Sequence, residues 1–222
     1  MRINADFSRR AAIACAEHRW VASPQNGVER MMLDRIGAER ARATSLVRYR
    51  PESYFPPHQH PGGEEILVLE GTLSDETADY SSGWYLRNPP GSAHRPASRE
   101  GALIFVKLWQ MPADERVPVR TNTRDPSAWQ RDGALEVCPL FHGAHEQVRL
   151  VRLVPGATLH VEANGGAELL LISGEVSVNG ASFGPLSWWR LPVGDAIVYN
   201  AGSAGATLYV KTGHLAHAAD GP

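Results

Sequence analysis

Two short stretches of this chain, His58-Gln-His60-Pro-Gly-Gly-Glu64 and Pro89-Pro-Gly-Ser-Ala-His94, can bring three imidazoles and one carboxylate to a single point. Such a donor set suits a divalent metal that keeps coordination positions open, because nitrogen and oxygen ligands of this kind hold the ion without filling its sphere. Residues i and i+2 of a strand point to the same side, so His58 and His60 are predicted to face one interior point. The Pro-Gly-Gly turn brings Glu64 back at the start of the next strand. Another tight turn, Pro89-Pro-Gly91, lets a neighbouring strand deliver His94 as the fourth ligand.

The elements that must position these residues read as short strands between turns. Apolar or alternating runs occur at Thr44-Ser-Leu-Val-Arg-Tyr, Glu65-Ile-Leu-Val-Leu, Trp84-Tyr-Leu-Arg, Leu103-Ile-Phe-Val-Lys-Leu, Val148-Arg-Leu-Val-Arg-Leu, Glu168-Leu-Leu-Leu-Ile, Val176-Ser-Val and Ala206-Thr-Leu-Tyr-Val. Gly and Pro breaks at this spacing predict an all-β barrel or sandwich. Residues Ser8 to His18, Ala-rich and free of Gly and Pro, are the exception and favour helix on propensity. Pro112, Pro118 and Pro126 lie among polar residues and mark 113–132 as a linker between a first domain, 1–112, and a second, 133–222.

The framing residues add specificity. His-x-His-x3-Glu-x6-Gly, closing at Gly71, and Gly83-x5-Pro89-x-Gly91-x2-His94 together resemble the two cupin motifs. The resemblance implies a small antiparallel barrel in which His58, His60, Glu64 and His94 bind one metal. Glu65 matches Glu64 in type, but the six-residue gap to Gly71 favours Glu64, and alternation then turns Glu65 outward. Ser98 stands where the second motif usually closes with Asn, a departure that touches the scaffold and not the ligands.

The two halves repeat. Gly62-Gly-Glu-Glu-Ile-Leu-Val-Leu-Glu-Gly71 matches Gly165-Gly-Ala-Glu-Leu-Leu-Leu-Ile-Ser-Gly174 at an offset of about 103, and Pro89-Pro-Gly91 matches Pro192-Val-Gly194 at the same offset. A bicupin of two tandem antiparallel jelly-roll lobes follows. At that offset Ala167 replaces Glu64 and Ile197 replaces His94, while His58 and His60 fall on Val161 and Ala163, or on Glu162 and Asn164 at an offset of 104. The second barrel is therefore expected to be metal-free and filled by aliphatic side chains, with one of Trp188 and Trp189 in its core. His142, His145, His214 and His217 lack partners at motif spacing and read as surface residues.

Composition excludes several classes. A net charge of −2 gives no broad basic face for nucleic acid, and Arg9, Arg10, Arg30, Arg35, Arg40, Arg42, Arg48 and Arg50 read as a solvated surface. The apolar runs are strand-length and the N-terminus shows no signal-peptide core, so a cytoplasmic protein away from membranes is expected. Cys15 and Cys138, without a CxxC pair, read as buried free thiols.

At closer range Trp20-Val-Ala-Ser-Pro, Gly27-Val-Glu-Arg-Met-Met-Leu-Asp-Arg, Ala43-Thr-Ser-Leu-Val-Arg-Tyr, Ser74-Asp-Glu and Arg87-Asn-Pro-Pro-Gly-Ser-Ala-His-Arg-Pro resemble the cupin of the ChrR anti-sigma factors. The resemblance implies a regulatory module that senses singlet oxygen or related stress. The helical zinc domain of ChrR, with its His-x3-Cys-x2-Cys signature, has no counterpart here, so contact with a sigma factor is not expected. Three functional classes follow: a regulatory metal-binding cupin, a non-haem dioxygenase of diketone-like or acetophenone-like substrates, and a non-catalytic small-molecule module. The cofactor is one divalent metal, zinc first, with iron, manganese and nickel accepted by the same donors. The expected partners are a small molecule or reactive oxygen species and, to cover edges and apolar faces, a second copy in a homodimer.

Overall fold

A computed structural model describes residues 1–38 and 40–216. Among the described residues the chain divides into two compact units, one of residues 1–5 and 19–124, the other of residues 6–18 and 125–216. Both are antiparallel β-structures, and the described residues include no α-helix, only the 3₁₀ turns Cys15–Glu17 and Pro126–Ala128. Every strand expected from the sequence forms within a longer one. Among the described residues no helix is long and apolar enough to cross a membrane.

The main sheet of the first unit runs in the order Arg2–Ile3, Val28–Gly37, Ala41–Tyr49, Ala102–Leu108, Glu64–Ser74, Trp84–Asn88 and Val119–Asn122. Ala102–Leu108 is central and buried along nearly its whole length, which its unbroken apolar run permits. Inward residues of these strands, Val28, Val47, Ile66, Val68, Ile104 and Val106 among them, form one apolar cluster. A separate two-stranded sheet pairs His58–His60 with Ser92–His94.

The second unit orders Gln130–Asp132, Leu135–His142, Gln147–Leu153, Asp195–Thr212, Ala167–Val178, Trp188–Leu191 and Ala11–Ile13. The helix expected over Ser8 to His18 is overturned: Ala11–Ile13 pairs antiparallel with Trp188–Leu191, Ile13 opposite Trp188. An open sheet edge offers backbone hydrogen bonds that outweigh a weak helical propensity. Cys15 follows on the turn and is exposed, contrary to expectation, whereas Cys138 is buried and its thiol is pushed up to about 11 by that burial. The stretch expected as a linker also carries strands. Val119–Asn122 pairs with Trp84–Asn88, and Gln130–Asp132 pairs with Leu135–His142.

The structure decides the repeat offset. His58 pairs with His94 across the small sheet, and Val161 pairs with Ile197 in the second unit, each at an offset of 103. Val161, Ala163, Ala167 and Ile197 all join the second unit's apolar cluster together with Trp189 and Tyr199, whose rings meet edge to face at 5.1 Å. Trp188 and Trp189 do face opposite sides, yet both are buried. The Trp188 indole N–H donates to the Glu168 carboxylate at 2.7 Å. Burial on both faces also overturns the surface reading of His214, whose side chain is 2% exposed and 3.4 Å from Glu168. His142 and His145 are exposed, and His217 lies outside the described residues.

Gly71 and Gly174 show why the repeat keeps its glycines. Each has a positive φ, +66° and +79°, and an added Cβ would lie 1.9 Å from the Gly101 carbonyl oxygen or 2.1 Å from that of Gly205. Neither backbone can yield without disrupting its strand. Gly71→Ala and Gly174→Ala should each lower stability by more than about 1 kcal/mol. Gly184→Ala, where a Cβ meets nothing within 4 Å, serves as the control in urea unfolding. Equal midpoints for all three variants would contradict this account.

Candidate metal centre

Two hydrogen bonds to one carbonyl assemble the site. The His60 carbonyl oxygen accepts from the Gly63 N–H at 3.0 Å and from the Gly91 N–H at 2.9 Å, tying the two motif turns together. Antiparallel register then places His58 opposite His94 and His60 opposite Ser92. Gln59 alternates to the exposed side, and Glu64 opens the next strand facing the histidines.

The four expected residues converge. Ligand nitrogens of His58, His60 and His94 all lie within 4.8 Å of one another. His60 Nε2 is 3.0 Å from His94 Nε2, and one Glu64 carboxylate oxygen is 3.4 Å from each of them. Glu65 points away from the site to Arg87, at 3.3 Å. Its expected outward position is not solvated: Glu65 is 3% exposed and Arg87 fully buried.

Proton positions follow from the partners. A carbonyl only accepts, so His58 Nδ1–H donates to the Pro56 oxygen at 2.9 Å and leaves the Nε2 lone pair free. The Asp75 carboxylate, 4.0 Å from His94 Nδ1, favours the same tautomer there. Burial, reinforced by His58, holds His60 down at about 4, and burial also lowers His94, so both imidazoles are neutral near pH 7. Neutral imidazole is the form that ligates a metal. Burial raises Glu64, against the opposing pull of His94, Asn88, His58 and Arg120. Lone pairs and a carboxylate oxygen packed this closely repel one another unless a cation or protons lie among them, so the donor set fits a divalent ion.

Sequence reasoning missed the support. Asn88 Nδ2 donates to the Glu64 carboxylate at 3.0 Å, and its own amide oxygen accepts from Arg120 at 2.7 Å. Arg120 belongs to the strand Val119–Asn122, inside the stretch expected as a linker, and lies 5.6 Å from the Tyr80 ring centroid. No motif spacing signals it. Asn88 had a signal, since it directly precedes Pro89 and its Cα partner across the sheet is Glu64.

The four residues line a cavity of about 440 Å³ whose other walls include Val47, Phe55, Ile104 and Trp109. Arginines expected on a solvated surface line it as well: Arg30, Arg35 and Arg40. Arg42 departs further, 3% exposed and 3.8 Å from the buried Asp34.

Comparison with known proteins gives the family. Residues 8–112 match the ChrR Cupin-like domain. The match takes in most of the first lobe and just under half of the chain. Within that match, residues 8–18 fold with the second unit. Among curated proteins, the DNA damage-repair/toleration protein DRT102 of Arabidopsis thaliana is 31% identical over 81 residues, 32% of this chain and 26% of that protein. The matched stretch is thus about a quarter of that relative's length. Similar solved structures include the 11S allergen of Cocos nucifera (11% identity, TM-score 0.70, covering 93% of this chain and 90% of that one). Another is oxalate decarboxylase of Bacillus subtilis, a protein with Mn(II) centres (14% identity, TM-score 0.64, 94% and 78%). At these identities they establish the double-cupin fold. Beside its ChrR Cupin-like lobe, the second lobe keeps the turns and lacks the imidazoles.

Asn88→Ala should weaken divalent-metal affinity by about 10–100-fold, the usual cost of removing a group that orients a ligand. A Glu64→Gln variant should lose metal, while Glu65→Gln should keep metal and lose stability. Competitive chelator titration and urea unfolding read the two effects. Metal retained by Glu64→Gln at wild-type affinity would contradict the assignment.

In the metal-free protein His60 titrates below its unfolded value of 6.5. Acid therefore protonates the unfolded chain first, and the stability due to neutral His60 is complete above 6.5 and lost as the pH falls toward about 4. Glu64, raised by burial, has the opposite sign and gains as it protonates. Metal-free His60→Gln should thus lose less stability than wild type between these pH values, measured by thermal unfolding in chelator.

Proposed function

We propose that this chain is a metal-binding cupin working as a regulatory, stress-sensing module, with one divalent ion held in its ChrR Cupin-like lobe by His58, His60, Glu64 and His94. The observation that carries the reading is the meeting of three imidazoles and Glu64 on the wall of a cavity. Zinc is the ion we favour, with iron, manganese and nickel competing for the same donors. When bound, the ion would supply a Lewis acid with positions open to a small molecule or an oxidant. The chain itself holds the imidazole protons away from the site, on the Pro56 carbonyl and toward Asp75, and fixes Glu64 through Asn88 and Arg120.

The cavity favours a second reading. At about 440 Å³ with apolar walls it suits a small diketone or acetophenone, the substrates of a non-haem dioxygenase. Metal analysis of protein from native cells, then Fe(II) loading and oxygen uptake with pentane-2,4-dione or a hydroxyacetophenone, separates the two. The sensory reading predicts no turnover, with hydrogen peroxide or singlet oxygen releasing or altering the metal. Turnover at about 1 s⁻¹ or faster, abolished by His94→Ala, would replace it with the dioxygenase reading.

A further inference from the structure

We infer that the first-lobe cavity is a binding site for a small organic carboxylate, held by Arg30 and Arg35. The inference deepens the reading of the metal site by naming the class of molecule that enters beside it. Its basis is the placement of two guanidinium groups that the chain turns inward.

Arg30 and Arg35 are five residues apart on Val28–Gly37, a spacing that would put them on opposite faces of a regular strand. The register shift between Met32 and Asp34 restores the face: Arg30 lies opposite Val47 and Arg35 opposite Ala43, and both of those partners line the cavity. Neither guanidinium meets a carboxylate among the described residues. Arg30 has the Phe55 ring at 5.7 Å, and Arg35 donates to the Ala38 carbonyl oxygen. Both line the cavity, and burial lowers the pKa of both.

Half-buried, unpaired guanidinium groups are costly, and a carboxylate satisfies their forked donors with two parallel bonds. The apolar walls, Val47, Phe55, Ile104 and Val106, call for an organic body rather than a bare inorganic anion. His58, His60, Glu64 and His94 line the same cavity, so a ligand anchored at the arginines extends toward them.

The test is calorimetric titration of the full chain, metal-loaded and metal-stripped, with pyruvate, benzoate and succinate. The amides of pyruvate and benzoate and inorganic phosphate are the controls. At least one carboxylate should bind with 1:1 stoichiometry, its amide should bind about tenfold more weakly or not at all, and Arg30→Met should weaken it by about tenfold or more. Arg30→Lys should recover part of the loss, and thermal melting verifies that each variant is folded; if Arg30→Met does not fold, Arg35→Met takes its place. The inference is overturned if no carboxylate of the panel binds, if acid and amide bind alike, if phosphate alone binds, or if the arginine variants bind as wild type does. Elemental analysis of the same samples keeps the two readings apart. Arginine-dependent binding by a chain that takes up no divalent metal would sink the metal site alone, and stoichiometric metal without carboxylate binding would sink this inference alone.

Discussion

Strand alternation at Glu64 and Glu65 is the constraint on which the site rests. Adjacent carboxylates on one strand face opposite ways, one to the imidazoles and the other to the buried Arg87. A one-residue slip that brought Glu65 to the histidines would set Ile66 opposite Arg87 in place of Glu65. Breaking a buried pair costs roughly 3–5 kcal/mol, so the Glu65–Arg87 contact discriminates strongly against the slipped register. Lys107 lies across from Glu65 on the other neighbouring strand, and Glu115 approaches Arg87 at 3.6 Å. The ion pair behind the strand thereby fixes what faces the cavity in front of it.

The second lobe separates these two roles. Glu168 lies between Arg190 and Lys211 in the same cross-strand arrangement that Glu65 has with Arg87 and Lys107. The Ala163 carbonyl accepts from Gly166 and Gly194, both at 2.8 Å, as the His60 carbonyl does from Gly63 and Gly91. The register charges and the tied turns are therefore retained where the ligands are not. Ala167 pairs with Leu191 where Glu64 pairs with Asn88, so ligand and support are replaced together. An apolar pair fills space that a lone carboxylate could not occupy without large desolvation cost.

How much of this was legible in the sequence depends on the range over which the cause acts. The strands, the turns and the four converging residues were legible because period-two alternation, Pro-Gly turns and motif spacing are local. The duplication was legible as well, since an offset of 103 carries glycines and prolines along with it. Ala11–Ile13 was not, because the edge of Trp188–Leu191 that it covers comes more than 170 residues later. Arg120 was hidden for the same reason: its partner Asn88 lies on a strand reached through a stretch whose prolines and charges suggest a linker. Arg30 and Arg35 were misread because composition does not reveal a register shift, and a one-residue shift decides whether both arginines take the same face.

That misreading bears on how the site works. Water and ions screen surface arginines from one another, whereas guanidinium groups lining a half-enclosed cavity are screened less. Tyr49, pushed up by burial and by Glu64, remains neutral and removes no positive charge. Glu64 is the one carboxylate among the four candidate ligands, so a dication there leaves an excess of positive charge beside Arg30 and Arg35. An anion from outside the chain would offset that charge. With the proposed ion and carboxylate both bound, each would lower the electrostatic cost of the other.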